Sequence, residues 1–174
     1  MNRIENDNPM KIRISQLSSG LHEYHFSSKP SDVGLEENFQ KDVNVDVVLD
    51  KTQRQIFLKV DIHTSGHFPC DRCLEDFVQP IVSHYNMLYV MDAQDADKNP
   101  VDEIQIISPE TTYIELTEDV RQIVILSIPL KLICKDECKG LCSQCGANWN
   151  YKSCMCHEEV TDSRWEPLKN LLNN

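Results

Sequence analysis

A chain of 174 residues has room for one domain, or for one domain and a small module. Hydrophobic residues make up 40% of it, which is enough for a core, and no run approaches the roughly 18 apolar residues of a membrane helix. The net charge of −11 argues against a protein that binds nucleic acid by its overall charge, because phosphates repel an acidic surface.

The acidic charge belongs to the larger, N-terminal part of the chain. From residue 130 onward six Lys and Arg balance six Asp and Glu, so residues 1–129 hold 11 basic and 22 acidic residues. We expect this part to suit a basic protein partner. Residues 1–9 lack the apolar stretch of a secretory signal, so we expect a cytoplasmic location, where structural disulfides are rare.

Alternation of apolar and polar residues predicts strands in the first half of the chain. Residues 11–17 and 21–27 alternate on either side of Ser18-Ser19-Gly20, which predicts a hairpin. Two further strands each present one apolar face, made of Val43, Val45, Val47 and Leu49 in the first strand and of Ile56, Leu58, Val60 and Ile62 in the second.

The second of these strands leads to Cys70, and residues 77–90 resume the strand pattern after Cys73. We therefore expect this C-x-x-C pair at the tip between two antiparallel strands, where it can reach another loop across a metal ion. Pro80 indicates a bulge or an edge position, because proline cannot donate to a strand ladder.

Residues 92–103 are acidic and poor in apolar side chains, which predicts a mobile loop. A calcium site is disfavoured there, because the run lacks the central glycine that a calcium loop needs for its sharp turn. Short strands are predicted over residues 104–107 and 113–116.

Two helices are predicted in the second half of the chain. Thr117 is a candidate N-cap for an amphipathic helix that ends near Pro129. A last helix begins at Asp162 or Ser163 and docks either on the protein's own core or on a partner. Its apolar side consists of Trp165, Leu168, Leu171 and Leu172.

Cysteines carry the densest chemistry in the sequence. Six of the eight lie in residues 134–156, and the C-x-x-C pattern occurs both at Cys70/Cys73 and at Cys142/Cys145. Two thiolates three positions apart on a tight turn can bind one zinc ion, and Gly146 favours that turn by allowing a positive φ. One or two zinc ions are therefore predicted as cofactors.

Tetrahedral zinc takes four ligands, so eight cysteines make two complete sets. We pair Cys70 and Cys73 with Cys134 and Cys138, and we pair the remaining four with one another, namely Cys142, Cys145, Cys154 and Cys156. A different arrangement joins the two C-x-x-C pairs in a single site, and His67 or His157 could replace a cysteine. An iron–sulfur cluster, or reduced cysteines without a metal, would also be compatible with this spacing.

The order of the last six cysteines, with Lys139-Gly140-Leu141 before Cys142, resembles that of the YceD-like family of large ribosomal RNA subunit accumulation proteins. The likeness extends to Cys70-x-Arg72-Cys73-Leu74, to Ile128-Pro129-Leu130-Lys131 and to Asp162-x-Arg164. It covers roughly residues 60 to 172. The resemblance implies a role in the accumulation of large-subunit ribosomal RNA, and hence in ribosome assembly.

No catalytic motif accompanies the cysteines. A zinc hydrolase needs an open coordination position and a general base, and two full cysteine sets leave no opening. We therefore expect a non-catalytic zinc protein that acts mainly through contacts with a ribosomal precursor or with a basic ribosomal or assembly protein. Two competing hypotheses are direct RNA binding, with Trp149 and Tyr151 stacking on bases, and a thiol-dependent enzyme at Cys154 and Cys156.

The predicted fold class is α+β. We expect an antiparallel β-sheet or partly open barrel with one packed helix, followed by a C-terminal cysteine-rich zinc module. The predicted boundaries are residues 1–129 for the sheet body, with its zinc-knuckle hairpin and helix, and residues 130–174 for the zinc module and the C-terminal helix.

Overall fold

The computed structural model describes residues 10–92 and 103–156 of the chain. The elements within these ranges are β1 (Lys11–Arg13), β2 (Gly20–Ser28), α1 (Pro30–Val33), β3 (Val43–Lys51), β4 (Gln55–Pro69), β5 (Asp76–Val90), β6 (Ile104–Ile106), β7 (Tyr113–Glu115) and α2 (Thr117–Leu126). Most of the predicted acidic loop and the predicted last helix lie outside the described residues. Neither helix of the described ranges has the length and apolar character needed to cross a lipid bilayer.

The main sheet is open, with its strands in the order β2-β3-β4-β5-β6. The first four strands pair antiparallel, whereas β6 pairs parallel to the C-terminal end of β5. Strands β1 and β7 form a separate two-stranded sheet. The predicted fold class is confirmed, and the parallel edge strand β6 is an addition that makes the sheet mixed.

One face of the main sheet is buried in the core, as the alternation predicts. Eight of the inward side chains of β3 and β4 are at most 1% exposed, namely Val43, Val45, Val47, Leu49, Ile56, Leu58, Val60 and Ile62. Helix α2 covers this face with Val120 and Val124, and the small sheet contributes Ile12 and Ile114. Cys70, Cys73 and Cys138 form a separate buried cluster, and the aliphatic core contains none of the described cysteines.

The predicted hairpin between residues 11–17 and 21–27 is wrong. Strand β1 pairs with β7, and β2 pairs with β3 along all nine of its residues. Strand β3 is also nine residues long and can satisfy that whole ladder, which the three-residue β1 cannot. The segment after β1 turns away instead, held by Lys51 Nζ, which donates to the carbonyl oxygens of Ile14 and Leu17 at 2.7 and 2.8 Å.

The predicted helix near residue 117 is present, but its N-cap differs. Leu116 occupies the N-cap position and Thr117 is the first helical residue, with its hydroxyl buried and unpaired among the described residues. Leu116 is 0% exposed, and its N–H donates to the Met10 carbonyl at 2.8 Å. Burial of this leucine therefore sets the start of α2 and overrides the capping preference of threonine.

Strands β4 and β5 form a long hairpin that positions the first cysteine pair. Each strand has 15 residues, and they pair from Gln55 opposite Val90 to Pro69 opposite Asp76. The loop between them holds Cys70 and Cys73, so the predicted place of this pair at the hairpin tip is confirmed. Strand β6 covers only the last residues of β5, which leaves Pro80 on an edge as predicted.

Candidate metal centre

The first cluster joins the hairpin tip to the segment after α2. The sulfurs of Cys70, Cys73, Cys134 and Cys138 all lie within 4.8 Å of one another. Cys70 and Cys138 are 3.9 Å apart, and Cys73 and Cys134 are 3.7 Å apart. A disulfide would need about 2.05 Å, whereas a tetrahedron with bonds of about 2.3 Å has sulfur–sulfur edges of about 3.8 Å. The cluster therefore fits a single tetrahedral ion.

Hydrogen bonds from the backbone and from side chains hold the two halves of this first cluster together. The Asp71 N–H donates to the Leu132 carbonyl at 2.8 Å, and the Leu132 N–H donates to Asp71 Oδ2 at 2.7 Å. Arg72 Nη1 donates to the carbonyl of Cys138 at 2.9 Å. These contacts bring Cys134 and Cys138 to the hairpin tip across more than 60 residues of sequence.

The second cluster lies in the following loop and is more open. The sulfurs of Cys142, Cys145, Cys154 and Cys156 also lie within 4.8 Å of one another. Cys142 is buried, whereas Cys145 and Cys156 are exposed. The structure thus groups the eight sulfurs in the two sets that we paired from the sequence, and does not join the two C-x-x-C pairs in one site. That they are metal ligands stays a prediction.

The two C-x-x-C pairs share one turn geometry. The residue after the second cysteine donates its N–H to the carbonyl of the first: Leu74 to Cys70 at 2.8 Å, and Gly146 to Cys142 at 2.9 Å. Both residues have a positive φ, 59° for Leu74 and 69° for Gly146. Gly146 adopts this conformation without cost, while Leu74 does so against the steric preference of a side-chain-bearing residue.

Hydrogen bonds and burial set unequal acidities within the first cluster. Burial opposes ionisation of the Cys70 thiol, but backbone N–H groups, including that of Cys134, outweigh it and lower its pKa to about 6. The Asn150 amide likewise lowers the pKa of Cys138. Burial and neighbouring sulfurs raise the pKa of Cys134 to about 12. A divalent cation at the centre would offset this mutual repulsion and favour four thiolates.

The thiols of the second cluster also differ in their pKa values. The indole N–H of Trp149 donates to Cys154 Sγ at 3.4 Å and is the main cause that lowers the pKa of Cys154 to about 6. The neighbouring Cys145 sulfur is the main cause that raises the pKa of Cys156 to about 12. Trp149 therefore covers part of this cluster, whereas Tyr151 is 77% exposed in the groove beside it.

The two histidines considered as replacement ligands fare differently. His67 lies exposed on the outward face of β4 and belongs to neither cluster, and His157 lies outside the described residues. Asn150 was not predicted as a site residue, yet its side-chain amide donates to Cys138 Sγ at 3.3 Å. Its position between Cys145 and Cys154 was the available signal, because amides near thiolates often orient a metal site from outside the ligand set.

An open groove of about 730 Å³ lies beside the second cluster. Its lining includes Lys139 and Lys152 together with the aromatic rings of Trp149 and Tyr151. This is the part of the described surface where cationic and aromatic side chains meet next to the cysteines.

A family model described as large ribosomal RNA subunit accumulation protein YceD matches residues 58–172. The chain is 29% identical to the chloroplastic large ribosomal RNA subunit accumulation protein YCED homolog 1 of Arabidopsis thaliana, over 74% of this chain and 47% of the relative. The corresponding protein of Zea mays is 27% identical, over 63% of this chain and 47% of the relative. An uncharacterised protein of Mycobacterium bovis is 24% identical, over 94% of this chain and 82% of the relative.

The chain spans 47% of the length of each of the two chloroplastic relatives that it matches. None of these three relatives carries the name of an enzyme. No solved structure matches the chain significantly.

Proposed function

Because this chain belongs to the YceD family of large ribosomal RNA subunit accumulation proteins, we propose that it supports the accumulation of large-subunit rRNA as a non-catalytic, zinc-stabilised assembly factor of the cytoplasm. The observation that carries the non-catalytic role is the pair of four-cysteine clusters. Four thiolates complete the coordination of a structural zinc ion and leave no position for water or substrate. The proposal treats residues 1–129 as the docking body and residues 130–174 as the zinc module.

The sulfur geometry supports a single ion in each cluster. Four sulfurs within 4.8 Å of one another enclose one cation, whereas a four-iron cluster binds its thiolates through separate irons and holds them further apart. When bound, zinc supplies a redox-inert cross-link worth on the order of 10–16 kcal/mol in small metal-folded peptides. This is comparable to the ~5–15 kcal/mol stability of an ordinary domain, so it is enough to hold the cysteine loops in place.

The outward face of the main sheet supports a basic protein as the partner. Its outward positions on β2 to β5 carry a single lysine or arginine, Lys59, against the carboxylates of Glu23, Asp46, Asp50, Asp61 and Asp76. Asp46 and Asp61 stand directly opposite each other in the ladder, and each has a neighbour on this face, because Asp46 Oδ1 lies 2.7 Å from His25 Nδ1 and Asp61 Oδ2 lies 3.6 Å from Lys59 Nζ. Carboxylates still outnumber lysine and arginine on this face, and a cationic partner surface would neutralise that surplus.

The partner assignment is tested by charge reversal on this face. Replacing both Asp46 and Asp50 with Lys is expected to reduce co-sedimentation with large-subunit precursors, because steering by complementary charge is lost. The matched control replaces Glu36 and Glu37, two exposed carboxylates of the loop between α1 and β3, with Lys. Equal loss in both variants would show that net charge, and not this face, governs binding.

A second candidate is direct contact with single-stranded RNA at the groove beside the second cluster. Lys139 and Lys152 suit phosphates, and the exposed ring of Tyr151 suits base stacking. We rank it second because a four-thiolate site remains negatively charged even with a divalent cation, which repels phosphates. Tyr151→Ala with Lys152→Ala should abolish any electrophoretic shift of rRNA fragments if this candidate holds, while the β3 charge reversals should not.

Metal analysis and rRNA profiling test the proposal as a whole. Purified protein is expected to carry two zinc ions per chain, with the eight thiols protected from alkylation. Depletion of the protein is expected to lower large-subunit rRNA relative to small-subunit rRNA. Substoichiometric zinc with freely reactive thiols would overturn the structural-zinc account, and unchanged rRNA levels would overturn the assembly role.

A further inference from the structure

The side chain of Asn150 connects the two cysteine clusters. Asn150 lies in the loop between Cys145 and Cys154, which both belong to the second cluster. Its amide nitrogen donates to the sulfur of Cys138, in the first cluster, at 3.3 Å. A residue positioned by one cluster therefore completes the surroundings of a sulfur in the other.

The orientation of this amide is well determined by its neighbours. Asn150 Oδ1 accepts from the backbone N–H of Lys139 at 3.0 Å, and Asn150 Nδ2 also donates to Asn148 Oδ1 at 2.8 Å. Asn148 in turn accepts from the N–H of Asn150 at 3.0 Å. Because its oxygen is engaged by a donor, the amide must present its nitrogen to Cys138.

Further hydrogen bonds, two between backbone groups and one between side chains, reinforce the junction between the two clusters. The Leu141 N–H donates to the carbonyl of Arg72 at 3.1 Å, and the Trp149 N–H donates to the carbonyl of Gly140 at 2.9 Å. Asn148 Nδ2 donates to Glu75 Oε1 of the hairpin loop at 3.3 Å. The second loop thus lies directly against the hairpin tip, so ordering one of them favours order in the other.

We propose that the two clusters bind metal cooperatively, with Asn150 as the residue that couples them. The inference rests on the metal sites proposed above. Metal in the second cluster fixes the loop that holds Asn150 and presents its N–H to Cys138. An N–H directed at a thiolate stabilises its negative charge and so favours metal at the first cluster. By thermodynamic linkage, metal in the first cluster raises the affinity of the second by the same factor.

The coupling is measured by comparing single-site and two-site proteins. The C145S/C154S variant retains a complete first cluster, and the C70S/C73S variant retains a complete second cluster. Cobalt titration of each, followed by its sulfur-to-metal absorption band, gives two separate affinities. If the clusters are coupled, the overall association constant of the wild-type chain for two ions exceeds the product of the two single-site association constants. We expect an excess of about 10-fold, which is the lower end of the effect of removing an outer-shell hydrogen-bond partner on metal affinity.

An isosteric substitution isolates the role of Asn150. Asn150→Asp keeps the oxygen that accepts from Lys139 and leaves all eight cysteines in place. It removes the amide N–H groups that reach Cys138 and Asn148, and it adds a negative charge next to the Cys138 sulfur. We expect this variant to bind two ions with the coupling factor reduced towards one. Asn86→Asp is the matched control, because it makes the same chemical change at an exposed outward position of β5 and should leave the factor unchanged.

The outcomes separate this inference from the proposed function. A wild-type chain that binds two ions with no excess over the product of the single-site affinities would overturn the coupling and leave the metal sites standing. A full coupling factor in Asn150→Asp would overturn the role of Asn150. A wild-type chain that binds no metal would overturn the proposed sites themselves. Native mass spectrometry offers a second measure, because coupling makes the singly loaded species scarcer.

Discussion

At the scale of single residues, two glycines near the clusters share a backbone conformation but differ in their surroundings. Gly140 has φ +75°, and a Cβ added there would lie 2.9 Å from the carbonyl oxygen of Arg72. Gly146 has φ +69°, and an added Cβ would meet no atom of the described residues within 4 Å. Gly140 is therefore required both by its torsion angle and by the close approach of the hairpin loop.

Substituting each glycine with alanine should separate these two requirements. Both variants incur about 1–2 kcal/mol for a side-chain-bearing residue in the left-handed region. Gly140→Ala should lose more stability than Gly146→Ala, because the backbone of Arg72 must also move to make room for the added Cβ. Unfolding of the metal-loaded protein by denaturant measures the difference. Equal losses of unfolding free energy in the two variants would show that the close approach of Arg72 to Gly140 adds nothing to the destabilisation.

At the scale of elements, the first turn of α2 holds two carboxylates with opposite behaviour. Hydrogen bonds from Gln122, with Arg121 nearby, lower the pKa of Glu118. Burial, together with the charges of Glu103 and Glu118, raises the pKa of Asp119. The helix N-terminus favours both anions. In their local surroundings, however, the ionised Glu118 stabilises the fold and the ionised Asp119 destabilises it.

The two carboxylates should therefore give opposite pH dependences. The folded-state pKa of Asp119 is above its unfolded value of 3.8, so the protein loses stability as pH rises through the folded pKa. The folded-state pKa of Glu118 is below its unfolded value of 4.5. Its contribution to stability is therefore present above pH 4.5 and is lost as the pH falls through the folded-state pKa. Asp119→Asn should thus gain stability relative to wild type as pH rises from 3 to 7, and Glu118→Gln should lose it.

Chemical unfolding in the presence of a chelator at every pH measures these differences, because it removes pH-dependent metal binding, and the titration of the free cysteines is common to the variants and the wild type. Differences that do not change with pH for either variant would contradict the assignment. The same result would follow if both carboxylates were fully solvated in the folded protein.

At the scale of the whole molecule, the protein has two main sources of stability. The aliphatic core lies between the main sheet and α2 and contains none of the described cysteines, while Cys70, Cys73 and Cys138 form a buried cluster at the hairpin tip, and Phe77 packs against both. The core side chains of β3 and β4 are almost fully buried, and each such aliphatic side chain contributes about 1.5–3 kcal/mol. The sheet should therefore fold without metal, whereas the cysteine loops should not.

Chelation should accordingly unfold one part of the chain and spare the other. We expect amide hydrogen exchange to accelerate over residues 130–156 and the loop at residues 70–75 when zinc is removed, and to stay slow in the centres of β3 and β4. Added zinc should restore protection. Loss of protection throughout the sheet on chelation would show that the core depends on the metal.

The periodic elements were predictable from the sequence because their signals are local. Alternation identified β3, β4 and β5 and their inward faces, and the three-to-four-residue spacing of apolar side chains identified α2. The place of Cys70 and Cys73 at a hairpin tip followed from the strands on either side. The division of the cysteines into two sets of four was proposed from their number and spacing, and the structure brings the same sulfurs together.

The sequence alone determined the long strands, α2 and their inward residues, because these patterns depend on neighbours along the chain. The three-dimensional structure decided between the possible groupings of the cysteines, because Cys70 and Cys73 meet Cys138 and Cys134 across 68 and 61 residues of sequence. Tertiary structure decided that β1 pairs with β7, because two isolated short strands carry no register signal. It also decided that Leu116 starts α2, because burial outweighs a capping preference. Lastly, it placed Asn150 against Cys138, because that contact exists only once the second loop packs against the first cluster.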